Sequence, residues 1–209
     1  MSKLNFVYIF LFTIQLNLMA QDLLQGKYYY QRQEMVAAFN FFPDGRFEFF
    51  YSYGAIDRTA TGTFKVEGDS LKLKSDKEAG HDFSIDKQSK SGSGYRINCH
   101  APNPQLLRYM QCIAFVGTEK FVYEANQEGT ILIDLPKCDK IYAKHSLFVD
   151  IPTLIKDENN KNNLFEITLQ PSVQQLSFKG IDFHIDDEHT ISCLPNYFMP
   201  IDNLRFTKE

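Results

Sequence analysis

Tryptophan is absent from the 209 residues, which argues against a stacking platform for sugars. No long apolar run is present either. The longest, residues 6–18, carries Thr13, Gln15 and Asn17 and is too short to cross a bilayer. Positive charge is not in excess: 22 Lys and Arg stand against 26 Asp and Glu, for a net charge of −4. That balance excludes nucleic acid as a partner, because phosphate binding needs a clustered positive surface. No basic amphipathic helix suggests docking on a membrane.

The catalytic motifs are missing as well. Ser91-Gly-Ser-Gly94 lacks the glycine that a nucleophile elbow places two residues before its serine. No glycine-rich phosphate loop opens a helix. The histidines at 81, 100, 145, 184 and 189 are scattered, and none is paired with a nucleophile. Paired acids such as Asp186-Asp187 fall in turns, where burial cannot raise their pKa. Cysteine is scarce: Cys99, Cys112, Cys138 and Cys193 are the whole set, and no two form a Cys-x-x-Cys zinc spacing. No cofactor or metal is expected.

What the chain does have is aromatic residues, 19 Phe and 11 Tyr. They concentrate in residues 39–73, which read as two consecutive β-hairpins. Pro43-Asp44-Gly45 makes a three-residue loop, with proline presetting the bend and glycine free to take a positive φ. It pairs Phe41 with Phe47 and Phe39 with Phe49. Phe39, Phe41, Phe47, Phe49, Tyr51 and Tyr53 then share one face, and Asn40, Arg46, Glu48 and Ser52 share the other. Phe42 and Phe50 fall on that polar face, so some cover is expected there. Gly68-Asp69 makes a two-residue turn that pairs Val66 with Leu71 and Phe64 with Leu73. Consecutive hairpins form a meander, the starting material of a small barrel or sandwich.

Residues 1–20 read as a signal peptide: Lys3, a short apolar stretch, then Leu-Met-Ala ending at Ala20. Gln21 follows, so there is no lipid-attachment cysteine. Export, periplasmic or extracellular, is the expectation, with no membrane span after processing. In an oxidising compartment the four cysteines can form one or two disulfides of unassigned pairing, or remain buried thiols.

Strand patterns continue through the chain at 8–12-residue spacing, the mark of an all-β barrel or sandwich. Residues 87–94 form a flexible Ser/Gly-rich segment, read as a long hairpin loop in which Ile85 pairs with Tyr95. His100-Ala-Pro-Asn-Pro104 is the preferred domain boundary, because two prolines forbid a central strand. The division is therefore 21–101 for a meander domain and 102–209 for a sandwich-like domain. Residues 105–110 are assigned one helical turn, and residues 173–178 a strand.

Residues 26–75, with Gly26-Lys-Tyr, Phe41-Phe-Pro-Asp-Gly-Arg-Phe and Gly62-Thr-Phe-Lys-Val-Glu-Gly-Asp-Ser-Leu-Lys-Leu, resemble small bacterial lipocalin-like domains. That resemblance implies a meander closed into a little barrel. Residues 123–136 resemble one strand pair of a carboxypeptidase-regulatory, transthyretin-like sandwich. The Tyr-Arg-Gly-Ser tail of the transthyretin-fold hydrolases is not found; the chain ends Phe-Thr-Lys-Glu. The whole resembles exported bacterial proteins of unknown function.

Three clusters invite a functional reading. His184 and His189 flank three carboxylates. A three-residue loop over 186–188 would send the two rings to opposite faces, so they cannot share an ion. Asp57-Arg58 marks a ligand rim or a surface ion pair. The aromatic face is first of all core, and otherwise a calyx for an apolar ligand lined by Phe39, Phe41, Phe47, Phe49, Tyr51 and Tyr53, with Arg58 at its mouth. The expected function is a non-catalytic exported protein that binds a small apolar ligand or an envelope partner. The alternatives are an assembly subunit of the envelope and, last, a hydrolase without a recognisable motif.

Overall fold

The computed structural model describes residues 24–54, 56–193, 198–199 and 201–208. The expected leader, residues 1–20, lies outside them. Strands β1 (Gly26–Arg32), β2 (Met35–Phe41), β3 (Arg46–Tyr53), β4 (Ile56–Glu67) and β5 (Ser70–Ser75) come first. β6 (Phe83–Ser89), β7 (Tyr95–His100), β8 (Met110–Val116) and β9 (Glu119–Glu124) follow. Then come β10 (Thr130–Ile133), β11 (Lys140–His145), β12 (Thr153–Lys156) and β13 (Leu164–Leu169). β14 (Lys179–Asp187), β15 (Thr190–Cys193) and β16 (Leu204–Lys208) complete the order. The helical turns among the described residues are 3-10, at Pro104–Tyr109 and Pro171–Gln174. No helix among them is long and apolar enough to cross a membrane. The protein is all-β.

Both early hairpins form in the expected register. Phe41 faces Phe47, and Phe39 faces Phe49. Gly45 has φ 81°, and the Phe42 amide donates to the Arg46 carbonyl at 2.9 Å. Val66 faces Leu71 and Phe64 faces Leu73, across a turn that holds Gly68 at φ 65°.

The meander closes into an eight-stranded antiparallel barrel, compatible with a lipocalin-like arrangement. The closing strands come from the far end of the chain: β5 pairs with β14, then β15 and β16 return to β1. Closure leaves no open edge. Alternate residues point inward, so β4 sends Arg58, Ala60, Gly62, Phe64 and Val66 into the interior.

The chain accordingly divides into two units, residues up to 77 together with those from 176 onward, and residues 78–175. This differs from a cut at 101/102. The His100-to-Pro104 stretch lies inside the second unit, where Asn103 caps the 3-10 turn through the Gln105 amide at 3.0 Å. Residues 173–178, expected as a strand, begin in the second 3-10 turn instead.

The second unit holds two four-stranded sheets, β10-β7-β13-β6 and β12-β11-β8-β9. β6 and β7 do not form a hairpin. β13 lies between them, so Ile85 faces Ile167 and Tyr95 faces Ile133. The 90–94 loop therefore steps across the end of β13, about 9.6 Å at the usual strand spacing. It is not a loose tether. The Asn163 side chain accepts from the Ser91 amide at 2.7 Å and donates to the carbonyls of Ser91, Gly92 and Gly94 at 3.1, 3.3 and 2.8 Å. β9 and β10, on either side of the transthyretin-like turn, belong to different sheets.

The last hairpin also differs from expectation. Phe183 faces Cys193 and Ile185 faces Ile191, with a bulge before Asp187 and a tighter turn at Glu188-His189. The bulge absorbs the residue that a three-residue loop would have used. His189 is exposed in that turn rather than inward.

Candidate functional site

The aromatic face lines the barrel interior. Phe39, Phe41, Phe47, Phe49 and Tyr51 are all buried. Their rings meet one another and rings from the closing strands. Phe39 lies 4.5 Å from Phe49, 5.3 Å from Phe183 and 5.0 Å from Phe206, and Phe49 lies 5.7 Å from Phe198. At these positions the interior is filled by side chains, the usual state of a small barrel. Burial of each such ring contributes about 1.5–3 kcal/mol.

Tyr53, at the end of β3, is 41% exposed. Arg58 is 1% exposed, on the inward side of β4, while Asp57 points out. The Tyr51 phenol is pushed above its usual range by burial first and then by Tyr53, with the Arg58 guanidinium pulling it down. Phe42, on the outer face, is half-buried and has the Arg46 guanidinium 5.6 Å from its ring centre. Phe50 stays 42% exposed.

His184 and His189 have different carboxylate neighbours. His184 lies 3.6 Å from Asp69 and 3.8 Å from Asp186, and His189 lies 3.4 Å from Glu188, all exposed or partly so.

A better-formed recess lies on the second unit. On the face of β8 and β11 opposite the fully buried Cys112, Ala114, Ile141 and Ala143 lie Ile113, only 7% exposed, and the half-buried Phe115 and Tyr142; Tyr142 pairs with Ile113, and Phe115 meets Tyr142 edge-on at 5.9 Å. Ile151 and Pro152 form a wall, and Lys120, Asp139, Lys140 and Glu158 form the rim of a groove of about 590 Å³. The pairing extends this floor across the whole sheet. Val122 of β9, Ile113 of β8, Tyr142 of β11 and Leu154 of β12 form one continuous row. Val122 is 50% and Leu154 44% exposed, so the row ends in uncovered apolar side chains.

Asp139 shapes one end of the groove. It accepts from the Gly117 amide at 2.7 Å, and this bond, opposed by burial and helped by Lys137 at 3.6 Å, holds its carboxyl below the usual range. Gly117, at φ 59°, makes the β8–β9 turn that this bond fixes. The sequence carried one sign of the groove: Cys112-Ile-Ala-Phe-Val116 is apolar at successive positions, the pattern of a strand covered on both faces.

All four cysteines are buried thiols. Burial, then the Glu166 carboxylate, pushes the Cys99 thiol up to about 12. Burial alone pushes Cys193 up to about 12. Cys112, buried and then opposed by Cys99, lies well above the usual thiol value. Nucleophilic thiolate is therefore scarce near neutral pH. An aromatic disulfide reagent is expected to leave native protein unlabelled and to find all four thiols after denaturation. Fewer than four in the denatured, unreduced protein would mean a disulfide.

The molecule is thus an up-and-down barrel that carries a two-sheet unit between its fifth and sixth strands. No family model matches the chain, and no curated protein or solved structure matches it.

Proposed function

We propose that this protein is an exported, non-catalytic binding protein that takes a small, mainly apolar ligand in the groove over β8 and β11. The observation that carries this reading is the outward apolar row from Val122 to Leu154, recessed at Ile113, Phe115 and Tyr142 into about 590 Å³. That volume lies within the range of small-molecule sites, which pair an apolar lining with a few polar groups. The rim carries two lysines, Lys120 and Lys140, and two acids, Asp139 and Glu158, so the groove favours a ligand with a polar end and little net charge. The residues 1–20 leader supports export, and the filled barrel supports a scaffold role for the first unit.

A melting-shift screen over lipids, glycans and peptides tests this reading directly. An apolar member is expected to raise Tm for the unaltered chain. Tyr142→Glu, which puts a carboxylate into the floor, should weaken binding of that member at least about tenfold. Phe50→Glu, on the barrel exterior, should leave it unchanged. No shift with any class, or equal binding by Tyr142→Glu, would reject the groove.

A further inference from the structure

A second recess in the inserted unit has the opposite chemistry. Its floor is Lys156, at the end of β12 and only 4% exposed. The Lys156 ammonium donates to the carbonyls of Cys138 and Asp157 at 2.8 and 2.9 Å. It also lies 5.7 Å from the centre of the Tyr95 ring. The Tyr95 hydroxyl in turn accepts from the Cys138 amide at 2.9 Å, so residue 138 is held through both its N–H and its C=O. Two of the three ammonium donors are used in this way, and the third remains.

Among the described residues no carboxylate forms an ion pair with Lys156, and burial holds its pKa below the usual lysine value. Asp139 and Asp157 act on it only as weaker, opposing influences. A buried charge without a counter-ion is costly, and a bound anion would relieve that cost.

The surrounding cleft has a volume of about 380 Å³ and also takes in Lys90, Lys137 and Lys161, against Glu158 as its one acid. Four lysines thus line one cleft in a chain whose net charge is −4, with Lys137 also 3.6 Å from Asp139 and the Lys161 ammonium donating to the Glu158 carbonyl at 3.1 Å. One wall is the 90–94 loop, and Asn163 holds that loop rigid through its amide. The wall is therefore in place before any ligand arrives, which lowers the ordering cost of binding. No arginine lines the cleft. No planar fork therefore reads the anion; the lysines act as point charges, and a compact, multiply charged group such as phosphate draws more from several of them than a single carboxylate does.

We propose that this cleft is a binding site for a small phosphate-bearing anion, with Lys156 as the buried contact and Lys90, Lys137 and Lys161 as the outer charges. The cleft meets the apolar groove at Glu158, which is not among its proposed contacts, so the proposal does not rest on the groove being occupied.

Calorimetric titration of the full chain with pyrophosphate, and separately with a hexose phosphate, tests the proposal. Sedimentation with phosphatidylcholine vesicles containing phosphatidylglycerol tests a lipid source of the same group. Pyrophosphate is expected to bind at low salt with a Kd below about 1 mM and to weaken as salt rises. Lys156→Met should lower the affinity at least about tenfold, a loss of one 1.4 kcal/mol step. A Lys90→Gln/Lys161→Gln double variant, altered only at exposed positions, keeps the test valid should Lys156→Met fail to fold; it should lose about threefold or more. Lys65→Gln on the barrel should bind as the unaltered chain does. No pyrophosphate heat with the unaltered chain, or equal affinity in the double variant, would overturn the site. Binding to vesicles with no response to either soluble phosphate would also overturn it.

Discussion

Replacing Phe39 by alanine is expected to lower the unfolding free energy of the barrel by about 3–5 kcal/mol, the usual loss for a buried ring. The ring is fully buried and packs against Phe41, Phe47, Phe49, Phe178, Phe183 and Phe206. Those neighbours come from β2, β3, β14, β16 and the segment entering β14, so the ring ties the opening meander to the closing strands. Strand backbones locked in a closed barrel cannot collapse into the space it leaves, and the cavity cost adds to the lost burial. Urea denaturation followed by tyrosine fluorescence would measure the change. A loss under about 1 kcal/mol would mean the interior is loosely filled, and would restore the barrel as a ligand calyx.

Gly62→Ala is expected to be similarly severe, costing about 3 kcal/mol or more. Gly62 is an inward position of β4, facing Ser75 across the ladder. A β-carbon there would run into the Lys74 carbonyl and approach the Ser75 Cα at 2.8 Å. Both obstacles are backbone, so no side chain can swing aside. The point is also where β4 changes neighbours. The Asp76 amide donates to the Thr61 carbonyl at 2.8 Å, and the Leu176 amide to the Thr59 carbonyl at 2.8 Å. A methyl group at residue 62 would push apart the strands where the chain leaves the barrel and where it returns. Thermal melting and amide exchange over β4 and β5 would report it. A change within about 0.5 kcal/mol would show that the strands are not so close.

The apolar groove and the proposed anion cleft are tested by separate substitutions. Lys156→Met should alter anion binding and leave the apolar screen intact, while Tyr142→Glu should do the reverse. The two recesses share Glu158 at their edges, so coupling through that residue would appear as a cross-effect between the two titrations.

The readable parts of the chain are the local ones. Pro43-Asp44-Gly45 and Gly68-Asp69 specify their own turns, and a register once started is held by the buried face, so the meander follows from nearest neighbours. The helical turn assigned to residues 105–110 forms one residue earlier, at 104–109, where Pro104 and the Asn103 side chain open it. The Ser/Gly composition of residues 90–94 misled, because its rigidity comes from Asn163, a residue remote in sequence. The groove had a partial sign in the apolar run of β8, but the row that makes it needs four strands set side by side.

Taken by itself, the order of residues determined the all-β class, two hairpin registers and the inward aromatic face, since these depend on alternation and turn chemistry within a few positions. Tertiary structure alone decided which strands close the barrel, that residues 78–175 form a unit of their own, and that Lys156 meets the Cys138 carbonyl at the foot of a lysine-lined cleft. Those outcomes rest on pairings between distant strands, whose partners are selected by shape and burial after the chain has collapsed and leave no periodic trace along it.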